Sequence, residues 1–376
     1  NQVDDYFGTK VKDPYRWLED LNSPETGKWL EQQEKIKEQY FSKIALREKI
    51  KARLTALSNI ERSSKPTKKG EFYISWKRDG LQDQPVLYIQ KDLEGEPEAL
   101  LDPNSFSKDG SVYLVHNAFS KDNKYLAYAI SRGGSDWREY YVTDLQTRKK
   151  LADHIRRIKT YGEISWYKDG FFYGCYDALP SESEKLKAKN EFLKVYYHTL
   201  GTKQAEDRFI YGDSENSQMR FEVRVTDNEK YLVIEARENV GSHNFFYCKN
   251  LETGNEVYPI TAELPAHFKF VDEIDDHFLF ITDFEAPKGR LILIDPKNPQ
   301  KDNWKVVIPE SANKMERVSC AGDRFVVTYL KDVYTAVSVF DLDGKKLYDV
   351  RLPGVGSVYG FRGKKEDNEL FYTFES

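Results

Sequence analysis

The sequence predicts an all-β protein, a seven-bladed β-propeller with an incomplete last blade, preceded by a short α-helical segment. A unit of strand, turn and strand recurs along most of the chain, with side chains that alternate between two faces. These units begin near residues 70, 118, 164, 223, 270, 318 and 360. Their period of about 45–50 residues lies in the range of propeller blades. The chain is also rich in Tyr (25) and Phe (22), large residues that a β-sheet core favours.

The repeated unit is clearest at residues 118–151. An Asp-Asn turn at 122–123 leads into a strand rich in Tyr and Leu, and a Gly-containing loop separates this strand from a second aromatic one. Paired strands of the same kind are predicted at 72–76 and 86–89, 166–173 and 195–202, 226–233 and 245–254, 275–281 and 290–295, and 322–328 and 337–344. The seventh unit reaches Ser376 after about two strands, so we expect its blade to be incomplete.

Residues 1–69 fall outside the repeat and are predicted to be helical, which divides the chain into domains at 1–69 and 70–376. Ser23, Pro24 and Glu25 form a helix start, because the hydroxyl can cap the first turn and Pro suits its first position. Two apolar stripes follow at helical spacing: Trp29, Ile36, Tyr40 and Ile44, then Leu46, Ile50, Leu54 and Leu57. Amphipathic helices of this kind need a partner surface.

The composition narrows the classes of partner and cofactor. The formal net charge of −5 is spread evenly, which argues against nucleic acid as a partner. No run approaches the ~18 apolar residues that a membrane span requires. Cys175, Cys248 and Cys320 are far apart and lie in or beside predicted strands, so we expect reduced thiols, no metal site and no cofactor. Because the chain begins with Asn1, we expect that an upstream segment was processed or trimmed.

Short motifs along the chain resemble the prolyl oligopeptidase family, in the order that the family has them. The opening Val11–Asp20 reads VKDPYRWLED and is followed by Ser23, Trp29 and Gln32-Gln33. Further matching motifs are Gly80-Leu-Gln, Leu101-Asp-Pro-Asn104, Gly134-Ser-Asp-Trp137, Val195-Tyr-Tyr-His-Thr-Leu-Gly-Thr202, Leu352-Pro-Gly-Val-Gly-Ser-Val358 and Glu369–Ser376. The resemblance covers essentially all 376 residues, and its collinearity is more specific than any one motif.

The resemblance implies an architecture and an activity for a parent protein. In this family the propeller is inserted into an α/β-hydrolase chain, so the N-terminal helices would pack on that catalytic domain. The parent would cleave proline-containing oligopeptides after proline through an acyl-enzyme, with Ser, Asp and His supplied by the hydrolase domain. This chain contains no Gly-x-Ser-x-Gly nucleophile elbow, so we expect no catalytic residue in it and no hydrolysis by it alone. Its propeller would admit peptides and exclude folded proteins.

The resemblance also implies substrate contacts on the inner rim of the propeller. Arg237 matches, by its distance from Tyr231, a family arginine that hydrogen-bonds the peptide backbone upstream of the cleaved proline. Val240, Met219 and Tyr161 match pocket positions for a residue further upstream, although Met219 lies one residue further from Tyr231 than the family spacing. Each of the four has a structural alternative. Arg237 could pair with a neighbouring Glu, and the other three could be packing residues.

Two other functions stay open from the sequence. One is a stand-alone propeller that binds peptides or proteins without catalysis, against which the incomplete last blade and the unpartnered helix stripes argue. The other is a family member that cleaves after basic residues, although the motifs at 196–201 and 353–357 look more like the proline-specific branch. The resemblance further implies a monomer. We expect a periplasmic location, with the cytoplasm as the alternative.

Overall fold

Six antiparallel sheets of four or five strands make up most of the chain in the computed structural model. The structure describes residues 2–159, 163–177, 189–238, 243–254, 256–261, 264–361, 363, 367 and 369–376. Within these ranges the chain forms two compact units. One contains residues 2–62, 79–81 and 189, and the other contains the described parts of 63–78, 82–177 and 190–376.

The first unit contains a hairpin, a short 3-10 helix and two α-helices. The hairpin, which the sequence did not predict, pairs two strands in antiparallel register. The bounds of these elements are β1 Gln2–Tyr6, β2 Thr9–Asp13, the 3-10 helix Arg16–Glu19, α1 Pro24–Phe41 and α2 Arg47–Ser58.

Helix α1 begins where the sequence predicts. The Ser23 hydroxyl oxygen accepts a hydrogen bond from the Thr26 backbone N–H at 3.1 Å, which satisfies one of the free donors of the first turn. Pro24 occupies the first helical position, where its missing N–H costs nothing. Glu25 adds a negative charge near the positive end of the helix dipole. The predicted helix start is therefore confirmed.

The Asp-Pro-Tyr-Arg segment of the opening motif forms a tight turn after the hairpin. The Asp13 carboxylate accepts hydrogen bonds from the Tyr15 backbone N–H at 3.1 Å and from Arg16 Nε at 2.8 Å. Arg16 also pairs with Asp4 on the first strand of the hairpin. The hydrogen bond from Arg16 holds the pKa of Asp13 below its ordinary value. These residues therefore fix the local turn.

The second unit is a β-propeller of six blades. Blade 1 contains β3–β7, and blades 2 to 6 each contain four strands paired in chain order: β8–β11, β12–β15, β16–β19, β20–β23 and β24–β27. The strand bounds are β3 Arg62–Ser63, β4 Thr67–Lys69, β5 Phe72–Arg78, β6 Val86–Gln90, β7 Glu98–Leu101, β8 Val112–Phe119, β9 Tyr125–Arg132, β10 Arg138–Asp144, β11 Lys150–Ile158, β12 Ser165–Tyr167, β13 Gly170–Cys175, β14 Lys194–Thr199, β15 Arg208–Gly212, β16 Met219–Val225, β17 Tyr231–Glu238, β18 Asn244–Asn250, β19 Tyr258–Pro259, β20 Phe268–Ile274, β21 His277–Thr282, β22 Arg290–Ile294, β23 Lys305–Ile308, β24 Lys314–Ala321, β25 Arg324–Lys331, β26 Tyr334–Asp341 and β27 Lys346–Asp349.

The described parts of the chain form six blades, so the prediction of seven is wrong. The first six predicted unit starts each correspond to a sheet of at least four strands. The seventh start, near residue 360, falls on a two-stranded sheet of β28 (Ser357–Gly360) and β29 (Tyr372–Glu375). A pair of strands this short is too small to form a blade by itself. The broader prediction, an all-β propeller with few helices, is confirmed.

The core of the propeller lies between neighbouring blades. An apolar cluster joins each successive pair of sheets from blade 1 to blade 6. Aromatic rings dominate these clusters: Phe246 of blade 4 and Phe280 of blade 5, for example, meet edge-to-face with centroids 4.9 Å apart. The cysteines Cys175, Cys248 and Cys320 are thiols buried in the same clusters. The predicted reduced, packed thiols are confirmed.

Candidate functional site

Strands of blades 1 to 4 line one cavity of about 470 Å³. Its wall includes Lys69 of β4, Phe119 of β8, Ser165 of β12 and Arg224 of β16. Side chains from four blades can meet only where the blades converge, so the cavity lies on the propeller axis. In blades 2 to 4 the first strand is therefore the inner strand.

Arg237 lies on the second strand of blade 4, at the end of the sheet that is remote from this cavity. It is the second-to-last residue of β17 and lies opposite Arg220 of β16 in the strand register. Arg220 and Arg224 are four residues apart on β16, which corresponds to roughly 13 Å along a strand. The structure therefore places Arg237 on the rim of blade 4 that is remote from the axial cavity.

The Arg237 guanidinium is paired with a neighbouring carboxylate. Its Nε and one Nη donate to Glu235 Oε1 at 2.6 and 2.5 Å. The Arg237 side chain is nonetheless 48% exposed, whereas that of Glu235 is 17% exposed. This ion pair is what we expect if Arg237 simply pairs with a neighbouring Glu. The pair leaves part of the guanidinium unused, because a guanidinium has five N–H donors and only two of its nitrogens bond to Glu235.

A second carboxylate stands beside this ion pair. Glu222 of β16 is directly opposite Glu235 in the antiparallel register, a position where like charges repel. Burial raises the pKa of Glu222 above its ordinary value, and the nearby charge of Glu235 adds to the effect, while Arg237 opposes it. This end of blade 4 therefore brings the half-exposed Arg237 close to the carboxylates of Glu222 and Glu235.

Met219, the first residue of β16, reaches the same rim but faces the core. It lies opposite Glu238, the neighbour of Arg237 in β17. Its side chain is buried in the apolar cluster between blades 3 and 4, together with Tyr176 and Phe221. The structure thus brings Met219 and Arg237 to one end of the sheet, with Met219 in a packing position. The pocket role of Met219 stays a prediction. The other two predicted pocket residues, Tyr161 and Val240, lie outside the described residues.

A buried ionic cluster lies between blades 2 and 3, and the sequence did not predict it. His198 of β14 is fully buried between two carboxylates, with Nδ1 at 2.7 Å from Asp207 Oδ1 and Nε2 at 3.0 Å from Asp153 Oδ1. The Gly201 backbone N–H donates to Asp153, and the Tyr173 hydroxyl donates to Asp207 Oδ2. The cluster joins β11 of blade 2 to β13 and β14 of blade 3.

The charge on His198 follows from these contacts. Burial alone would lower its pKa, but the hydrogen bonds and charges of Asp153 and Asp207 outweigh burial and raise the pKa of His198 to about 9. Burial alone would likewise raise the pKa of Asp153, which the bonds from His198 and Gly201 lower instead. An imidazolium between two carboxylates is therefore the stable form at neutral pH. The one sequence signal was His198 itself, the only histidine in the segment 195–199.

Other described histidines bond to groups that do not form a catalytic triad. His116 contacts the Tyr140 hydroxyl at 2.8 Å, and His154 contacts Glu139 at 2.9 Å.

Over the ranges that the structure describes, no group of His, Cys, Asp and Glu side chains has a geometry that could hold a metal ion. None of the described helices is long and apolar enough to cross a membrane.

Comparisons with known proteins agree with the fold over the whole chain. A family model described as the N-terminal beta-propeller domain of prolyl oligopeptidase matches residues 1–376. A prolyl endopeptidase of Elizabethkingia meningoseptica is 38% identical over 375 residues, which cover 100% of this chain and 52% of that protein. A prolyl endopeptidase of Dictyostelium discoideum is 28% identical over 430 residues, covering 98% of this chain and 56% of that protein. The chain spans about half the length of the curated relatives it matches.

Solved structures of related proteins are similar to this chain over nearly its whole length. A structure from a study of two prolyl endopeptidases and their inter-domain dynamics has a TM-score of 0.88 and 29% identity, covering 100% of this chain and 55% of that one. Prolyl oligopeptidase B from Galerina marginata, bound to a 35mer hydrolysis and macrocyclization substrate, has a TM-score of 0.84 and 25% identity, covering 99% of this chain and 56% of that one.

Proposed function

We propose that this chain, which belongs to the prolyl oligopeptidase family as its N-terminal β-propeller domain, is the gating part of a serine endopeptidase. The parent protein would cleave short peptides after proline, with the nucleophile supplied by an α/β-hydrolase domain. One observation carries this proposal: prolyl endopeptidases match this chain along 100% of its length but along only about half of their own.

The propeller would act as a size filter for that catalytic domain. Apolar clusters join each successive pair of blades from blade 1 to blade 6, so the inner strands are held firmly in place. We propose that the opening that these strands surround is narrow. An extended peptide could pass such an opening or enter during domain separation, whereas a folded protein could not. The axial cavity of about 470 Å³ supports this proposal, because it provides space along the axis.

Arg237 would bind the substrate at the rim of blade 4. Its side chain is 48% exposed and its guanidinium is held by Glu235, so donors remain for the carbonyl oxygen of a bound peptide. A charged donor of this kind suits the peptide backbone, which is present in every substrate whatever its side chains. Arg237 would therefore anchor residues upstream of the cleaved proline without selecting their side chains.

The helices of the first unit support a missing partner domain. Large apolar side chains are exposed along both helices and in the short connection between them: Trp29, Ile36 and Tyr40 in α1, Ile44 and Leu46 in the connection, where the sequence predicted helix, and Ile50, Leu54 and Leu57 in α2. A soluble protein rarely leaves a row of such residues uncovered unless the row is an interaction surface. We propose that the α/β-hydrolase domain of the parent protein covers it.

The exposed helix rows predict a simple behaviour of the chain by itself. It should bind a hydrophobic dye such as anilinonaphthalene sulfonate and self-associate in light scattering, because both helices expose aliphatic side chains. The double change Ile36→Gln and Ile50→Gln should reduce both signals. Val333→Gln, which alters an exposed apolar residue of the propeller, should leave them unchanged. A chain that is monomeric and binds no dye would contradict a missing partner domain.

The substrate class can be tested on the parent protein with two matched peptides. The peptides are identical except that one has proline and the other has lysine at the cleaved position, and mass spectrometry identifies the products. Cleavage after proline alone supports the proposed function. Cleavage after lysine would indicate the branch of the family that acts after basic residues, and binding of peptides without cleavage would indicate a stand-alone binding propeller.

The compartment and the oligomeric state also stay proposals. We propose a periplasmic, monomeric parent protein, with the cytoplasm as the alternative location. Cell fractionation decides the first point, and light scattering of the parent protein decides the second.

A further inference from the structure

We infer that Glu235 and Asn244 are positioning residues that hold the Arg237 guanidinium through a hydrogen-bond relay anchored on the neighbouring blade. This inference rests on the proposed function, because it assigns a role to two residues that would act through Arg237. The relay runs from the backbone of blade 5, through Asn244 and Glu235, to Arg237 at the rim of blade 4.

Asn244 is the fixed end of the relay. It is the first residue of β18, and only 1% of its surface is exposed. Its Nδ2 donates to the Phe268 carbonyl oxygen at 2.7 Å, and its Oδ1 accepts from the Phe268 backbone N–H at 2.7 Å. Both ends of the amide are thus tied to one residue of β20 in blade 5. An amide held by two such bonds cannot rotate without breaking them.

Glu235 transmits this fixed position to Arg237. Asn244 Nδ2 also donates to Glu235 Oε1 at 2.5 Å, and the same oxygen accepts from Arg237 Nε at 2.6 Å. A carboxylate oxygen can accept several hydrogen bonds, so Glu235 Oε1 joins the two side chains directly. Asn244 and Arg237 also face each other in the β17–β18 register. The three side chains therefore reach one another with the backbone in its observed position.

The physical effect of the relay is preorganisation of a flexible side chain. A free arginine at a surface has many rotamers, and a ligand that binds it must immobilise them. Here the bonds to Glu235 restrict the guanidinium before a ligand arrives. The charge of Glu235 competes with a ligand for Arg237, but a peptide carbonyl carries no net charge and can use the remaining donors. The geometry thus favours neutral backbone acceptors over free carboxylates.

Kinetics of the parent protein test the relay. Glu235→Ala should raise KM for a long proline peptide by about twofold to tenfold, the cost of immobilising one side chain, with little change in kcat. A proline arylamide with no upstream residue cannot reach Arg237, so its kinetics should not change. Glu235→Gln keeps an oxygen that accepts both bonds and should restore KM. Glu238→Ala removes the neighbouring exposed carboxylate and is the matched control.

A double variant separates positioning from a direct effect. If Glu235 acts only through Arg237, the double variant Arg237→Ala and Glu235→Ala should have the KM of Arg237→Ala alone. Asn244→Ala should change KM in the same direction as Glu235→Ala. Because Asn244 also ties two blades together, its variant can lose stability, and Glu235→Ala then carries the test.

The outcomes distinguish this inference from the proposed function. An unchanged or lowered KM in Glu235→Ala, together with a raised KM in Arg237→Ala, overturns the relay and leaves the proposed function standing. If the parent protein cleaves no proline peptide, the proposed function fails, and crystal structures of the parent protein and its Glu235→Ala and Glu235→Gln variants test the relay directly. A guanidinium displaced in the Ala variant and retained in the Gln variant supports the relay. A guanidinium in the same place in all three contradicts it.

Discussion

Replacing His198 with alanine should lower the free energy of unfolding of the chain by about 3–5 kcal/mol, the range for removing one partner of a buried ion pair. Asp153 and Asp207 would be left without the cation that lies 3.0 and 2.7 Å from them. Both carboxylates lie against a fully buried side chain, so water could not replace the lost bonds without opening the interface between blades 2 and 3.

Urea unfolding followed by tryptophan fluorescence measures this loss. His277→Ala is the matched control, because His277 is exposed and its ring has a local contact, with the Asp275 carbonyl oxygen at 2.8 Å. The control should change the free energy of unfolding by less than about 0.5 kcal/mol. Equal, small effects of the two substitutions would contradict a stabilising role for the His198 cluster.

The same cluster predicts how stability depends on pH. The folded pKa of His198, about 9, is above its ordinary value of 6.5, so its contribution to stability is fully present below pH 6.5. That contribution is lost as the pH rises through about 9, where the folded imidazolium gives up its proton. The difference in unfolding free energy between wild type and His198→Ala should therefore shrink by up to about 3 kcal/mol over this range. A difference that stays constant would contradict a charged His198.

Replacing Arg237 with alanine in the parent protein should raise KM for long proline peptides. The lost hydrogen bond from a charged donor is worth about 1–3 kcal/mol, which corresponds to roughly 5- to 150-fold in kcat/KM. The effect should fall mainly on peptides with residues upstream of the proline, since the guanidinium would contact their backbone. Kinetics with a series of peptides of increasing length measure it.

Arg148→Ala is the matched control for this prediction. Arg148 also pairs with a glutamate, Glu98 at 3.2 Å, but both lie on outer strands or turns of blades 1 and 2. Removing it should leave the kinetics of every peptide unchanged. If Arg237→Ala behaves like Arg148→Ala, Arg237 is only a structural residue of the rim, and its bond to Glu235 is then its full role.

The repeat could be read from the sequence because each blade obeys local rules. Alternating aromatic residues, turns with Asp and Asn, and a constant period depend on neighbours in the chain, and they located six sheets correctly. The number of blades could not be read in the same way. A unit start near residue 360 has the local signature of a strand, but a blade also needs further strands to pair with it.

The site could be predicted only in part, because its contacts are long-range. Arg237 was found through the family resemblance, and Glu235, two residues away, was foreseen only as an unspecified neighbouring Glu. The partner that fixes Glu235 lies on β18, and the anchor of that partner is 24 residues further along, on another blade. His198 was missed for the same reason, since Asp153 is 45 residues away in sequence. No local pattern encodes such pairs.

Intact mass and peptide hydrolysis of the natural gene product, compared with this chain, test the central claim most directly. If the chain is the propeller of a prolyl oligopeptidase, the natural product should be much heavier than 43.9 kDa and should cleave a proline peptide that this chain leaves intact. A natural product of 43.9 kDa that binds such a peptide without cleaving it would contradict the claim.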